Sequence, residues 1–286
     1  MKRLAIALAL TVSATASAHE FSINGDRCTS SNFRWDGDDA HVEKQVIEAG
    51  SLRSLRAAVR HAPIAVTGGS SNGYVIEVCK AAADPADLRA IRVTLDGNEL
   101  RAEGPDGSRW LVSYQIRMPN GGSIDVQADN GPISIKDVNG TVVARASNGP
   151  LALSNTSGSV DATTTNGPIS VRGGSGDVKL RATNGPLAVT LEGDSWRNGS
   201  LDASTQNGPL SLRLPRNYSS GVVVESNGRG PVSCRAEGCE QFRARRDDDD
   251  FGGHYRGHEP RRIELGSGAA AVRLSTVNGP ITIKDE

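Results

Sequence analysis

The stretch Asn-Gly-Pro-Ile-Ser occupies residues 130–134 and returns unchanged at residues 166–170. Its first three residues also occur on their own, beginning at Asn148, Asn184, Asn207 and Asn278. The first three intervals, between Asn130 and Asn184, are each 18 residues long. A fixed period of this length indicates a repeat architecture, in which each motif marks the same point of a recurring structural unit.

Glycine also recurs every nine residues through the most regular part of the chain, at Gly122, Gly131, Gly140, Gly149, Gly158, Gly167, Gly176 and Gly185. The second and fourth residues after each glycine are mostly apolar, and their neighbours are mostly polar. This alternation is typical of a strand with one buried face. An α-helix with an 18-residue repeat is rejected, because glycine and proline at these intervals would interrupt it.

Asn-Gly is also a strong signal for a β-hairpin. The residue after such a turn donates its backbone N–H across the hairpin, and proline has none. We therefore predict an all-β fold, a parallel β-solenoid (β-helix) with about 18 residues and two short strands per coil. The asparagines of successive coils would lie about 4.8 Å apart and hydrogen-bond along a column. This predicted corner ladder comprises Asn130, Asn148, Asn166, Asn184, Asn207 and Asn278.

The repeat continues on both sides with changes of phase. Residues 55–63 have the spacing of residues 142–150 and are predicted to form a coil, with His61 in the asparagine position, although this stretch alone also fits a helix. Residues 75–78, 91–95 and 110–116 are further strand candidates. After Gly221 the phase places Val223 inward, and Glu225 where an apolar residue is expected. The sequence ends on NGPITIKDE, and we expect this last coil to end the stack, its charged tail protecting the edge.

The first 18 residues read as a secretory signal peptide: Met-Lys-Arg, an apolar run over residues 4–12, and Ala16-Ser17-Ala18. We expect an N-terminal cap over residues 19–49 and the solenoid over residues 50–286, with a charged loop inserted at about 240–265. No later stretch is long and apolar enough to span a bilayer. The expected location is the periplasm, the outer surface or the extracellular medium.

The chain carries 32 Lys and Arg against 33 Asp and Glu, and removing Lys2 and Arg3 with the signal peptide changes the net charge from −1 to 30 − 33 = −3. This balance argues against nucleic acid as a partner. All four cysteines lie in the exported part, where an even number predicts disulfides. Three pairings are possible, and the closeness of Cys234 to Cys239 favours Cys28–Cys79 together with Cys234–Cys239.

Few residues are candidates for a catalytic or metal-binding role. Residues 243–262 combine four consecutive aspartates, Asp247 to Asp250, with His254 and His258, which fits either a metal site or a solvated charged loop. GGSGDVKL at residues 173–180 resembles a calcium-binding roll, but its aspartate does not recur in the other corners. We expect no catalytic, cofactor-binding or metal-binding residues.

One outward row, two residues after each proline, consists of small side chains: Ser134, Ala152, Ser170, Ala188, Ser211 and Thr282. Such a row makes a flat face that fits either a bound polymer or plain solvent-facing surface.

The signal sequence, the NGPI corners and the alternating short strands together resemble the bacterial β-strand-repeat family described as "putative adhesin", whose function is unknown. The resemblance is clear over residues 124–189 and absent over residues 243–262. It implies a parallel solenoid in an envelope or extracellular setting and supplies no catalytic residues.

We therefore predict a non-enzymatic exported surface for binding, adhesion or scaffolding, with an envelope protein or glycan as partner. The alternative is a polysaccharide-acting enzyme on a β-helix, which would need two carboxylates about 5 to 9.5 Å apart.

Overall fold

The computed structural model describes residues 28–107, 109–228, 230–240 and 261–286. The predicted signal peptide and most of the charged loop, including Asp247 to Asp250, His254 and His258, lie outside the described residues. Within those residues the protein is all-β, with one short α-helix, α1 (Pro85–Ala90), and one 3-10 turn (Ser30–Asn32).

The strands of the N-terminal part are β1 (Arg34–Trp35), β2 (Asp38–Asp39), β3 (His41–Ala49), β4 (Ser54–Val59), β5 (Ile64–Gly69), β6 (Tyr74–Ala82), β7 (Arg92–Asp96), β8 (Glu99–Glu103) and β9 (Trp110–Pro119). Those of the regular part are β10 (Gly122–Asn130), β11 (Ile133–Lys136), β12 (Asn139–Asn148), β13 (Leu151–Ser154), β14 (Ser157–Asn166), β15 (Ile169–Arg172), β16 (Asp177–Asn184), β17 (Leu187–Thr190), β18 (Leu201–Asn207) and β19 (Leu210–Leu214). The C-terminal strands are β20 (Gly221–Ser226), β21 (Val232–Cys234), β22 (Arg261–Leu265), β23 (Ala270–Asn278) and β24 (Ile281–Asp285).

Apart from the antiparallel pair β1–β2, the described strands form two 11-stranded sheets. The first sheet has the order β22-β20-β23-β18-β16-β14-β12-β10-β4-β8-β7, and the second has the order β21-β24-β19-β17-β15-β13-β11-β5-β9-β6-β3. From β10 to β19 the chain alternates between them. Each strand of the first sheet, the Asn-Gly-Pro corner after it and the following strand of the second sheet form what we call a repeat unit.

Successive repeat units pair in parallel, with equivalent residues opposite one another. Asn130 pairs with Asn148 in the first sheet and Ile133 with Leu151 in the second, both at an offset of 18 residues. The same register continues to the pair Asn184 and Asn207. These pairings exclude the antiparallel meander. They also show that residues 55–63 are not helical, because β4 pairs in parallel with β10, and β5 with β11.

The alternating apolar residues of both sheets form one hydrophobic cluster. Ile124, Val126 and Ala128 of β10 are fully buried, whereas Asp125 and Gln127 between them face outward. The same alternation recurs along the other strands of the repeat, so every unit places its Ile, Val, Leu and Ala side chains against those of the units on either side. Burial of these side chains, at roughly 25 cal/mol per Å² of apolar surface, is the main force holding the units together.

The N-terminal end departs from the repeat. β6 pairs antiparallel with both β3 and β9, and β7 pairs antiparallel with β8. β9 runs parallel to β5, on the side of β5 opposite β11. Strands β6 to β9 therefore follow β4 and β5 in the chain, yet in the sheets they lie on the side of β4 and β5 that faces away from β10 and β11. The three stretches that were strand candidates lie mainly in β6, β7 and β9.

The prediction that the last coil ends the stack is wrong. β23 lies between β18 and β20, and β24 lies between β19 and β21, so residues 270–285 form an interior unit. The edge strands at this end are β22, which runs antiparallel to β20, and β21. The repeat specifies which residues pair between neighbouring units. It does not specify which units are neighbours, because each one offers an equivalent edge.

The predicted phase of β20 is also wrong. A register shift between Gly221 and Val222 moves the strand by one residue, and Val222 and Val224 pair with the buried Val272 and Leu274. Glu225 consequently faces outward and pairs with Arg262 of β22. The extra residue of this β-bulge is Ala271 of β23, which has no partner in β20. The shift by one residue exchanges the two faces of β20 relative to the repeat.

Candidate functional site

The outer face of the second sheet carries two rows of side chains that run across the strands. Each four-residue strand of a repeat unit turns its first and third residues inward and its second and fourth outward. The second residues form the small row, which extends the predicted one by one residue at each end: Ala65, Ser134, Ala152, Ser170, Ala188, Ser211, Thr282 and Ser233. These side chains keep the surface flat along the direction of stacking.

The fourth residues form a second row, which we call the basic row. It runs through register partners on successive strands: Arg117, Thr67, Lys136, Ser154, Arg172, Thr190, Arg213, Lys284 and Arg235. Its members are cationic or carry a hydroxyl group, and none is acidic. All the cationic members are solvent-exposed.

The residue types of the two rows alternate together from strand to strand, so that the pattern repeats every two units. Strands with serine in the small row have a cation in the basic row (ISIK at 133–136, ISVR at 169–172, LSLR at 210–213), whereas strands with alanine have a hydroxyl there (LALS at 151–154, LAVT at 187–190). The last two units, ITIK at 281–284 and VSCR at 232–235, both carry a hydroxyl and a cation. One hydroxyl–cation pair thus recurs every two strand spacings, about 9.6 Å.

Acidic neighbours neutralise only part of the basic row. Arg117 lies 3.6 Å from a Glu77 carboxylate oxygen, and Arg172 donates to Glu192 over 2.7 Å. Within the described ranges, the cations that form no ion pair are Lys136, Arg213, Lys284 and Arg235. Positive charge on this face is therefore available for an external anion.

The outer face of the first sheet is different, because its charges alternate and partly pair. Asp125 lies 3.5 Å from Arg56 and 2.8 Å from Arg145. Further along, Asp161 lies 3.6 Å from Arg181, and the row continues through Lys179, Asp202 and Arg273 as register partners. The two outer faces thus carry distinct electrostatic patterns, mixed on the first sheet and basic on the second.

A shallow polar depression of about 340 Å³ adjoins the middle of the basic row. It is lined by Gly174, Ser175, Glu192, Gly193, Ser195, Arg197 and Asn198, mostly from the insertion between β17 and β18. Trp196 anchors this insertion, since its indole is buried and donates to the Gly176 carbonyl over 2.9 Å. Glu192, the one carboxylate in the lining, is paired with Arg172.

The six predicted ladder asparagines lie in one exposed column. Five of the six side-chain amides donate to the amide oxygen of the asparagine in the preceding unit, over 2.9 to 3.0 Å. The fifth of these bonds joins Asn278 to Asn207, so the column follows the spatial order of units rather than the chain order. At the other end, Asn130 donates to Nδ1 of His61 over 3.2 Å.

The structure contains both favoured disulfides, Cys28–Cys79 and Cys234–Cys239. The first ties residue 28 to the buried strand β6, and the second closes the segment that follows the edge strand β21. Beside the first, Lys80 is almost fully buried and donates to Glu43 over 2.6 Å. The bonds therefore fasten the two ends of the stacked sheets.

Several carboxylates on the described strands have structural partners. Asp177 of the GGSGDVKL stretch accepts a hydrogen bond from the Ser200 backbone N–H over 3.2 Å, which joins two units. Glu43 pairs with Lys80, and Asp125 and Asp161 pair with arginines. No cluster of three or more metal-binding side chains occurs among the residues that the structure describes.

Two buried tyrosines at the N-terminal end have strongly perturbed hydroxyl groups. Burial raises the pKa of Tyr74 and of Tyr114 to about 12 each. The Tyr74 hydroxyl donates to the Ser123 carbonyl, whereas that of Tyr114 has no hydrogen-bond partner among the described residues. Both side chains pack in the core, and neither reaches the candidate face.

No family model and no curated protein matches this sequence. Solved structures with a similar chain path include a putative cell adhesion protein from Clostridium sporogenes, with 11% identity, a TM-score of 0.30, and coverage of 87% of this chain and 100% of that one. A putative adhesin from Bacteroides fragilis shows 12% identity, a TM-score of 0.29, and coverage of 86% and 97%. A putative lipid binding protein from Parabacteroides distasonis shows 12% identity, a TM-score of 0.27, and coverage of 86% and 96%.

The described part of the chain has no helix of the length and apolar character needed to cross a membrane.

The basic row is the feature that the sequence interpretation missed. It was readable as the alternation of ISIK, LALS, ISVR, LAVT and LSLR, which has twice the period of the corner motif. The 18-residue period of the corner motif predicted the small row, whereas the cations of the basic row recur only in every second unit.

Proposed function

We propose that this chain is a non-enzymatic, exported β-solenoid whose second sheet serves as a binding, adhesin-like or scaffolding surface in the cell envelope. The two sheets are the two faces of the solenoid, residues 19–49 cap its first coil, and residues 50–286 form the solenoid domain. The observation that carries the proposal is the pair of rows, small and basic, that extends in register across the units of the second sheet. A repeated flat surface of this kind offers many equivalent contacts to one extended partner.

Export is supported by the two disulfides, since such bonds persist in oxidising compartments. It is also supported by the order of charged, apolar and small residues in the first 18 positions. The depression beside Glu192 presents one carboxylate, whereas glycoside hydrolysis commonly uses two. The polysaccharide-acting alternative therefore has no specific observation in its favour.

The first test is the location of the chain. Expressed in a bacterium, the full chain should be recovered from the periplasm, the cell surface or the medium, and a variant lacking residues 1–18 should stay in the cytoplasm. Retention of the full chain in the cytoplasm would contradict export.

The second test is site-specific photo-cross-linking on intact cells. A cross-linker at Ser170, in the small row, should give high-mass adducts, and one at Ser204, which faces outward on the first sheet, should give few. Equal adducts from the two positions would contradict a dedicated surface on the second sheet.

A further inference from the structure

The basic row is a strongly charged surface with a regular spacing. Its cations Lys136, Arg172 and Arg213 lie on every second strand, and Arg235 continues this order beyond Lys284. Two strand spacings separate successive members of the series, about 9.6 Å. Because backbone hydrogen bonds hold the strands in register, the spacing of the backbone positions that carry these cations is fixed.

The small row lies directly beside these cations and leaves room for an extended chain. Ser134, Ser170 and Ser211 each stand two residues before a cation on the same strand. Ser170 and Ser211 are half-buried and Ser134 is buried, so the first two place the more accessible hydroxyl groups beside a positive charge. No large side chain rises between successive cations on this face, because the intervening strands carry Ala152, Ser154, Ala188 and Thr190. A ligand can therefore lie along the stacking direction.

The chemistry of the two rows identifies the class of ligand. A row of cations pairs best with a ligand that carries a row of anionic groups, and serine hydroxyl groups can hydrogen-bond the hydroxyl groups of a ligand. The spacing is that of one disaccharide in an extended sugar chain. Resting on the function proposed above, we infer that the basic row binds a linear acidic polysaccharide with one acidic group per disaccharide, lying across the strands of the second sheet.

Affinity would come from repetition. An exposed ion pair contributes little by itself, but several pairs formed by one polymer act together once the first has formed. A chain long enough to reach Lys136, Arg172, Arg213 and Arg235 presents four acidic groups at the spacing of the cations. At Arg172 its acidic group competes with Glu192, which that side chain already contacts over 2.7 Å. Binding should weaken as salt screens these exposed charges.

The probe is hyaluronan, which carries one carboxylate per disaccharide, in oligosaccharides of defined length measured by calorimetry at low salt. The octasaccharide should bind the purified full chain at least tenfold more tightly than the tetrasaccharide. Maltooctaose, which is uncharged, should not bind. Tetragalacturonate carries the same number of carboxylates as the octasaccharide at closer spacing and should bind at least fivefold more weakly.

Amino-acid substitutions in the two sheets test whether the basic row is the binding surface. The triple variant Lys136→Gln, Arg213→Gln, Lys284→Gln should weaken octasaccharide binding at least tenfold. The matched control Lys179→Gln, Arg181→Gln, Arg273→Gln removes the same charge from the first sheet and should change binding less than twofold. Thermal unfolding of both variants establishes that they are folded, and Arg213→Lys should retain binding because it keeps the charge.

Four results would overturn the inference: no binding of the octasaccharide to the unaltered protein, equal losses in the two triple variants, equal binding of tetragalacturonate, or tighter binding of single-stranded dT8 than of the octasaccharide. If the octasaccharide fails to bind while the Ser170 cross-link persists, the polysaccharide assignment falls and the proposed surface stands. If neither is observed, both fall.

Discussion

At the residue scale, the corner glycines are required by the closeness of the units. A Cβ built on Gly167 would lie 2.1 Å from the Gly149 carbonyl oxygen, and one on Gly185 would lie 2.0 Å from that of Gly167. Backbone atoms cannot move aside without disturbing the parallel ladder. The corner therefore needs glycine because of its neighbouring unit.

Replacing Gly167 with alanine should lower the free energy of unfolding by about 1–3 kcal/mol, the usual range for forcing an extra carbon into packed structure. Gly69→Ala is the control, because a Cβ there meets no atom within 4 Å. It should change stability by less than about 0.5 kcal/mol. Denaturant unfolding measures both variants, and equal effects would contradict the steric explanation.

The buried tyrosines predict a loss of stability in alkali. Their folded pKa of about 12 lies above the ordinary value of 10.0, so the fold favours the neutral hydroxyl. That contribution is complete below pH 10 and is lost as the pH rises from 10 towards 12. The free energy of unfolding should therefore fall across this window, as measured by denaturant titration at each pH. A constant value over the window would contradict the burial of both groups.

Tyr114→Phe should reduce the decrease in the free energy of unfolding between pH 10 and pH 12, because it removes one of the two titrating hydroxyl groups. At pH 7 it should raise stability by up to about 1 kcal/mol, because it removes a buried hydroxyl that has no partner among the described residues. Tyr74→Phe is the matched variant and should be destabilising, since it removes the bond to Ser123. If both variants lower the free energy of unfolding, the Tyr114 hydroxyl must form a hydrogen bond, and the prediction is wrong.

At the element scale, the asparagine column links the corners of successive units. Asn166 donates to Asn148 and accepts from Asn184, over 2.9 and 3.0 Å. Asn166→Ala should lower the free energy of unfolding by about 1–2 kcal/mol, because two exposed side-chain bonds are lost. Asn217→Ala, in a loop outside the column, should have little effect in the same thermal or denaturant assay. Equal effects would mean that the column contributes nothing beyond its backbone.

At the scale of the whole molecule, the order of the units departs from the order of the chain. Leu274 lies in the last strand pair, yet it is fully buried between Ala203 and Val224 of two other units. Leu274→Ala should therefore cost about 2–5 kcal/mol, as expected for a leucine in a packed core. Leu180→Ala, in the same row of the core, should cost a similar amount. A much smaller cost at Leu274 would indicate a frayed C-terminal unit.

The two disulfides should differ in their contribution to the stability of the whole molecule. Cys28–Cys79 closes a sequence separation of 51 residues, and Cys234–Cys239 closes one of 5. In the chain-entropy model the first contributes about 4 kcal/mol and the second about 2 kcal/mol. Replacing each pair by serines and measuring denaturant unfolding tests this ranking. A larger loss from the Cys234–Cys239 pair would contradict it.

Local features of the fold were predictable because each depends on residues within one or two units. Gly122 to Gly185 revealed the nine-residue half-unit, and Pro after Asn-Gly argued against hairpins. The phase of β20 was not predictable, because Val222, Val223 and Val224 are equally apolar and only the bulge at Gly221 decides which face inward. Of the candidate face, the small row was predicted and the basic row was overlooked.

The strand alternation, the corner positions and the residues that pair between units could be predicted from the amino-acid sequence, because an 18-residue period repeats the same local preferences. The positions of β23 and β24 inside the stack, and of β9 beyond β5, became visible only in the folded chain. Every repeat unit presents much the same apolar interior and the same free backbone edge. Local preferences therefore cannot distinguish one neighbour from another, and the choice depends on how the whole chain closes its ends.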